Sequence, residues 1–326
     1  MSDVRWTPIS DLMRPGLFIG AFLVVVLAVQ TTPASASEPL WDANVEFLSL
    51  KVNRKGEALV SYRLRDGRLR NVLVWGAINA RAPSETVPQV RFKWDYAGGW
   101  GKYRKGKYWR RFRNLCRPYH GPRLANLVAA CKAPDGSYWA IQAWRRRLPL
   151  LGFEPWLPQQ RNLELHVSHW SGPLAALEVY PNWTYDGAWQ GVFGRYSYRG
   201  LPVYGFGNTP KGVPTDKYGR NLFIDTLDSA YGKGWKRESG ILTHRATGTF
   251  CHSFVPQRPF TGYPSQALRP AAPGDRHRVT VGGPGVTPVM RVELDGLKRK
   301  DRGRDAEFNS IFDRVMAGDS ICAHER

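Results

Sequence analysis

The sequence predicts an all-β protein, mainly antiparallel, that forms one or two sandwiches of short hairpins with a short C-terminal helix. Asp-Gly dipeptides, which favour tight hairpin turns, recur between apolar or aromatic runs. The 33 Gly and 24 Pro residues fall mostly between the same runs, as turns require. Long helical patterns do not alternate with the strand patterns, which argues against a doubly wound α/β fold. The four dipeptides are Asp66-Gly67, Asp135-Gly136, Asp186-Gly187 and Asp295-Gly296.

Strand patterns follow one another along the chain. Three stretches read as hairpins: residues 57–79, 126–144 and 192–208. Shorter runs read as single strands: residues 162–170, 174–183, 220–227, 240–246, 248–255, 277–283 and 287–294. The one credible helix covers residues 305–319, because its large apolar side chains recur at helical spacing before Gly318.

The N-terminus resembles a targeting segment. The apolar run "LFIGAFLVVVLAV" is too short for a comfortable membrane span, and small residues follow it up to Ala36. We therefore expect a signal peptide over residues 1–36, cleaved near Ala36, and a secreted protein that is extracellular or periplasmic. An uncleaved signal that anchors the chain to a membrane is the alternative. The mature chain then divides into an N-terminal β region, 37–150, and a C-terminal β region with the terminal helix, 151–326, or forms one continuous domain.

The four cysteines favour two disulfides, since an even number in an exported chain is typical of a disulfide framework. Three pairings are open. We expect Cys116–Cys131 and Cys251–Cys322, because each joins neighbours in the sequence. Cys251 precedes His252, but adjacent residues on a strand point to opposite faces, so this pair is a poor nucleophile and base.

The formal net charge of +20 indicates an anionic partner. Anionic polysaccharide or wall polymer suits an exported protein. An anionic lipid surface is an alternative, and nucleic acid is a further alternative that export disfavours. The alternative is that the charge binds no ligand and only improves solubility.

The first hairpin carries a candidate anion-binding patch. A two-residue turn at Asp66-Gly67 places Leu64 opposite Leu69, with Val60 and Leu73 on the same face. The other face then carries four guanidinium groups, which suit carboxylate or phosphate. These are Arg63, Arg65, Arg68 and Arg70. The alternative is a solvated face whose charges pair with acids of a neighbouring strand.

A second candidate lies in the stretch from Lys93 to Cys116, which holds eight Lys or Arg, seven aromatic residues and one acid. Cations follow an anionic backbone, while aromatic rings stack on bases or on the apolar faces of sugars. The alternative is that the rings anchor the core beneath arginine stems. The candidate ligand-binding residues are Lys102, Tyr103, Arg104, Lys105, Lys107, Trp109, Arg110 and Arg111.

Enzyme motifs are weak in this sequence. Asp225, Asp228 and Glu238 lie among aromatic residues, and a carboxylate pair of this kind serves a glycan hydrolase. His166 and His169 face opposite sides of a strand, so we expect no metal site, and we expect no cofactor. The leading hypothesis is a secreted, non-enzymatic binding protein for an anionic polymer of the cell envelope or extracellular space. A secreted glycan hydrolase and a structural envelope protein are the alternatives.

Overall fold

The computed structural model describes residues 37–76, 92–96, 108–145, 162–184, 189–203, 220–229, 232–244, 246–254, 276–281, 288–295 and 302–325. The predicted signal peptide lies outside the described residues. In the described part of the chain, no helix is long and apolar enough to cross a membrane.

Antiparallel strands dominate the described residues, and the predicted all-β class is confirmed. The strands are β1 (Ser37–Ala43), β2 (Glu46–Val52), β3 (Ala58–Arg63), β4 (Leu69–Gly76), β5 (Phe92–Tyr96), β6 (Leu127–Lys132), β7 (Tyr138–Trp144), β8 (Glu164–Trp170), β9 (Ala176–Thr184), β10 (Trp189–Tyr198), β11 (Leu201–Pro202), β12 (Leu222–Ser229), β13 (Gly232–Ile241), β14 (Thr249–Ser253), β15 (Arg276–Val281) and β16 (Met290–Asp295). The helix α1 covers Arg302–Val315, and short 3-10 helices cover Tyr108–Arg110 and Cys322–Glu325.

Two four-stranded sheets form a first sandwich. One sheet has the order β1-β8-β7-β6 and the other has the order β2-β3-β4-β5. Alternate residues of their strands fill the space between them, as the period of two along a strand requires. Val60, Tyr62 and Val72 from one sheet meet Trp139 and Ile141 from the other in a single buried cluster. Strand β8, which follows the predicted boundary at residue 150, belongs to this sandwich.

The other two sheets form a second sandwich. One contains β11-β10-β14 with β9 paired to β10, and the other has the order β13-β12-β15-β16. Its core joins Tyr196 and Phe250 of the first of these sheets to Ile224 and Val279 of the second. Helix α1 covers the outer face of β10, where Phe312 meets Phe193 with ring centroids 4.9 Å apart. The predicted helix at the C-terminal end is therefore confirmed.

A polar and aromatic junction joins the two sandwiches. The Gln142 amide nitrogen donates to the Val289 carbonyl at 2.8 Å, and the Val289 N–H donates to the Gln142 amide oxygen at 2.9 Å. Trp144 packs on Phe223, with ring centroids 5.1 Å apart. The chain from Pro33 to Arg326 forms one compact unit by its contacts.

Both predicted disulfides are present. Cys116 bonds to Cys131, and Cys251 bonds to Cys322. The first ties the segment before β6 to the first sandwich, and the second ties the chain beyond α1 to β14. Two disulfides in one chain indicate an oxidising compartment.

Candidate functional site

A cationic cleft lies on the first sandwich, between the β2–β3 turn and the segment that begins at Tyr108. Its volume is about 870 Å³. Clefts of roughly 300–1,000 Å³ are typical of sites for small molecules or for part of a larger ligand. The lining residues are Asn53, Arg54, Lys55, Glu57, Leu73, Tyr108, Arg111, Phe112, Arg113 and Leu115. We call this feature the cationic cleft.

The β2–β3 turn presents two of the four cations of the cleft. Asn53 organises this turn, since its side-chain oxygen accepts hydrogen bonds from the N–H groups of Lys55 at 2.9 Å and Glu57 at 3.1 Å. Gly56 completes the turn with φ of +72°, a backbone conformation that favours glycine. Arg54 and Lys55 are therefore exposed on a short turn that the Asn53 side chain holds in place.

The opposite wall of the cleft is formed by the end of the stretch from Lys93 to Cys116, which is rich in cations and aromatic rings. The Leu115 N–H donates to the Val52 carbonyl at 2.7 Å, and the Asn114 side-chain oxygen accepts from the Val52 N–H at 3.1 Å. The disulfide at Cys116 fixes the next residue to β6. These contacts hold the segment beside the end of β2, so that Arg111 and Arg113 meet Arg54 and Lys55 across one cleft.

The lining of the cleft has an apolar part and a charged part. Tyr108, Phe112, Leu73 and Leu115 provide rings and aliphatic surface, while the four cations lie at the exposed edge. Among the lining residues that the structure describes, Glu57 is the only carboxylate, and it accepts a hydrogen bond from the Asn53 amide nitrogen at 2.7 Å. Guanidinium groups bind carboxylates and phosphates through paired hydrogen bonds, and aromatic faces stack on sugars or bases. The cleft thus combines the two kinds of group that an anionic glycan needs.

The structure places only part of the predicted second patch. Arg111 lines the cleft, whereas Trp109 and Arg110 adjoin it in sequence and are not among its lining residues. Lys102, Tyr103, Arg104, Lys105 and Lys107 lie outside the described residues. Arg54 and Lys55 were not among the predicted binding residues, although the turn sequence Asn-Arg-Lys-Gly carries two adjacent cations.

The predicted face of four arginines on the first hairpin does not form. The Leu64 N–H donates to the Arg68 carbonyl at 2.9 Å, so three residues, and not two, make the loop. Arg63 consequently lies opposite Leu69, and Arg70 lies opposite Tyr62. A shift of one residue exchanges the faces of a strand. Arg63 and Arg70 therefore lie on opposite faces, and the predicted placement of Leu69 in the core is wrong, since this residue is 61% exposed.

Acids accompany three of these arginines. Arg63 lies 2.9 Å from Glu46 of the neighbouring strand, Arg68 lies 2.6 Å from Asp66, and Arg70 lies 3.8 Å from Asp42. Arg65 is exposed in the loop. Exposed ion pairs contribute little to stability. The arrangement of Arg63 and Glu46 matches the alternative interpretation, a solvated face paired with acids of an adjacent strand.

The three candidate carboxylates occupy different environments. Asp225 lies between Arg237 and Arg278, and the Arg278 Nε donates to its second oxygen at 2.8 Å. Burial alone would raise its pKa, but the two guanidinium groups outweigh burial and lower the pKa of Asp225. Asp228 is exposed and accepts a hydrogen bond from the Gly234 N–H at 2.6 Å. Glu238 is buried, with one oxygen 3.9 Å from the His252 Nε2.

Two of the buried histidines stack on aromatic rings inside the sandwiches. His169 stacks on Trp139, with centroids 3.9 Å apart, and contacts the Ser137 hydroxyl at 2.8 Å. His277 stacks on Phe254 at 4.3 Å. Burial lowers the pKa of each to about 4, with the charge of His252 adding to the effect at His277. His166 is also buried, and its Nε2 lies 2.9 Å from a Glu164 oxygen.

These two histidines predict a loss of stability in mild acid. An unfolded histidine titrates near 6.5, and the folded ones titrate near 4, so the unfolded chain binds more protons between these values. The free energy of unfolding should therefore fall as the pH drops from 6.5 to 4, by about 2–3 kcal/mol for each histidine. Urea unfolding at several pH values measures this dependence.

The variant His277→Phe isolates one contribution. Between pH 7 and pH 4, this variant should lose less of its free energy of unfolding than the wild type. The exposed His120→Gln variant should lose as much as the wild type. An unchanged pH dependence in His277→Phe would contradict the assignment of His277 as a buried neutral group.

Searches against protein-family models, curated proteins and solved structures found no match to this chain.

Proposed function

We propose that this protein is a secreted, non-enzymatic binding protein for an anionic polymer of the cell envelope or extracellular space, and that the cationic cleft holds a segment of that polymer. One observation carries the proposal. Two cations from the β2–β3 turn and two from the segment after Tyr108 line the same cleft together with aromatic and aliphatic side chains.

The chemistry of the cleft favours an anionic glycan. Arg111 and Arg113 each offer a planar fork for a carboxylate or phosphate, and Lys55 adds a point charge. Tyr108 and Phe112 offer ring faces for the apolar side of a sugar. The described lining residues include four cations and one carboxylate, so this part of the cleft attracts anions. The net charge of +20 extends this attraction over the whole molecule.

The compartment supports a wall polymer or acidic polysaccharide over nucleic acid. The two disulfides are typical of an oxidising environment, and the predicted signal peptide accounts for export. Anionic polysaccharides and wall polymers are the polyanions that such a protein meets there.

Two quadruple variants with equal charge changes test the proposal. In the cleft variant, Arg54, Lys55, Arg111 and Arg113 become Gln. In the hairpin variant, Arg63, Arg65, Arg68 and Arg70 become Gln. We expect the cleft variant to lose at least about tenfold in affinity for an acidic polysaccharide, because each lost charged hydrogen bond is worth about 1.5–3 kcal/mol. The hairpin variant should lose less.

The measurement is binding of the mature protein to the polysaccharide over a series of salt concentrations, with a carboxyl-reduced neutral form as the control polymer. The wild type should lose affinity steeply with salt, and the cleft variant should show a shallower dependence. Equal losses in the two variants would contradict a specific cleft and favour a structural envelope protein held by total charge. Salt-tolerant binding of the neutral polymer, with release of reducing sugar, would favour the hydrolase alternative.

A further inference from the structure

A cluster of potential metal ligands surrounds the second disulfide, far from the cationic cleft in sequence. The His244 Nδ1 lies 3.7 Å from the Cys322 Sγ and 2.8 Å from an Asp319 oxygen. One ligand atom from each of these three residues lies within 4.8 Å of the others. Asp319 and Cys322 are buried, and His244 is partly buried. Imidazole, carboxylate and thiolate are the three ligand types that proteins use for zinc.

The distances come close to those of a tetrahedral zinc site. Ligand atoms about 2.0–2.3 Å from a tetrahedral Zn²⁺ lie about 3.3–3.6 Å from one another. The separation of 3.7 Å between sulfur and nitrogen fits this range, and the separation of 2.8 Å between nitrogen and oxygen is the one that must widen. The Cys251 sulfur is bonded to the Cys322 sulfur, so this disulfide must break before the Cys322 thiolate can bind a metal ion.

The surrounding residues hold the carboxylate in place. One oxygen of Asp319 accepts hydrogen bonds from the hydroxyls of Thr249 and Thr247, and the other accepts from the Cys322 N–H at 2.8 Å. These contacts fix the position of the carboxylate beside His244 and Cys322.

We propose that the Cys251–Cys322 disulfide covers a zinc-binding site, and that reduction of this disulfide by an external dithiol creates the site from Cys322, His244 and Asp319. This inference is independent of the proposed polymer binding. Thiolate ligands select Zn²⁺ over harder ions such as Mg²⁺.

Reduction of the Cys251–Cys322 disulfide takes two thiol–disulfide exchange steps. A thiolate of the dithiol attacks the Cys251 sulfur, the disulfide breaks, and Cys322 leaves as a thiolate. The second thiol of the reductant then attacks the mixed disulfide and releases Cys251, so the reductant becomes a cyclic disulfide and two electrons enter the protein. The proton on His244 Nδ1 moves to Nε2 when Nδ1 binds the metal. Zn²⁺ then takes the Cys322 thiolate, Cys251 keeps one of the two protons of the dithiol as a thiol, and the other proton passes to solvent.

Two single variants that break the same disulfide test the site. Cys251→Ser leaves the Cys322 thiol beside His244 and Asp319, whereas Cys322→Ser leaves only the Cys251 thiol. We expect Cys251→Ser to bind one Zn²⁺ per chain at least about tenfold more tightly than Cys322→Ser, and addition of His244→Ala to Cys251→Ser to abolish this difference. Calorimetric titration with Zn²⁺, with Mg²⁺ as the control ion, measures the affinity. Equal zinc affinity of the two single variants would overturn the proposal.

A measurement on the wild-type protein covers the case in which a variant does not fold. The protein is reduced stepwise with a phosphine, which does not compete as a thiol ligand, and free cysteines are alkylated and counted by mass spectrometry. Zinc should increase the reduced fraction of the Cys251–Cys322 pair at a given phosphine concentration and leave the Cys116–Cys131 pair unchanged. The same response at both disulfides, or at neither, would overturn the proposal.

Discussion

Replacing Asp225 with Ala is expected to lower the free energy of unfolding by about 3–5 kcal/mol, because the change leaves two guanidinium groups partly buried without their shared carboxylate. The side chains of Arg237 and Arg278 are only 12% and 19% exposed. Arg237 also lies over the rings of Trp144 and Phe223, at 5.3 and 5.0 Å. Since Trp144 belongs to the first sandwich and Phe223 to the second, loss of Asp225 should loosen the junction between the two sandwiches.

The matched control for this prediction is Asp228→Ala. Asp228 is exposed and accepts one hydrogen bond from the Gly234 N–H, so its replacement should cost about 1 kcal/mol. Urea unfolding monitored by tryptophan fluorescence measures both variants. A stable Asp225→Ala protein that had lost a sugar-releasing activity of the wild type would contradict the structural role and make Asp225 a catalytic candidate.

Removing the Cys251–Cys322 disulfide is expected to destabilise the protein more than removing Cys116–Cys131. The cross-linked residues are 71 and 15 positions apart. By the loop-entropy relation the costs are about 4.4 and about 3 kcal/mol. The Cys251–Cys322 disulfide also anchors the segment after α1 to β14, next to the cluster in which Phe312, Val315 and Met316 pack against Phe193 of β10.

This comparison uses two double variants, Cys251→Ser/Cys322→Ser and Cys116→Ser/Cys131→Ser. Each of them replaces two cysteines with serine, so the chemical change is the same. Guanidinium unfolding gives the two free energies, and limited proteolysis shows whether the C-terminal segment is cut first in the former. A larger loss for the Cys116–Cys131 variant would show that the short loop constrains the native cleft wall more than loop entropy predicts.

The first hairpin shows how far sequence reasoning reaches. Alternation of apolar residues correctly predicted two paired strands around Asp66-Gly67. The dipeptide alone does not determine whether the loop has two or three residues, since Gly67 with φ of +82° suits both. The three-residue loop places Arg70 opposite Tyr62, on the other face of the sheet from Arg63.

Several strands lacked the pattern that sequence reasoning requires. β13 forms an edge of its sheet and consists of the residues GKGWKRESGI, in which glycines and charges interrupt any apolar alternation. Its place depends on pairing with β12, whose apolar run was recognised. An edge strand packs fewer side chains than a central one, so its sequence carries less of the signal.

The cationic cleft illustrates a different limit. The stretch around Arg111 was recognised from its composition. Its position beside Arg54 and Lys55 depends on the hydrogen bond from the Leu115 N–H to the Val52 carbonyl. Contacts between residues so distant in sequence follow from tertiary pairing, which local propensity does not encode. The disulfides were an exception, because cysteine is rare enough in this chain for few pairings to exist.

The pairing of β1 with β8 has a consequence for the order in which the protein folds. Ser37 lies opposite Ser168, and Pro39 lies opposite His166, so β1 finds its partner only after the other described strands of the first sandwich have emerged. A chain delivered from its N-terminus would expose the unpaired edges of β1 and β7 until then, and such edges promote aggregation. A fragment ending at residue 150 lacks β8 and would keep both edges open.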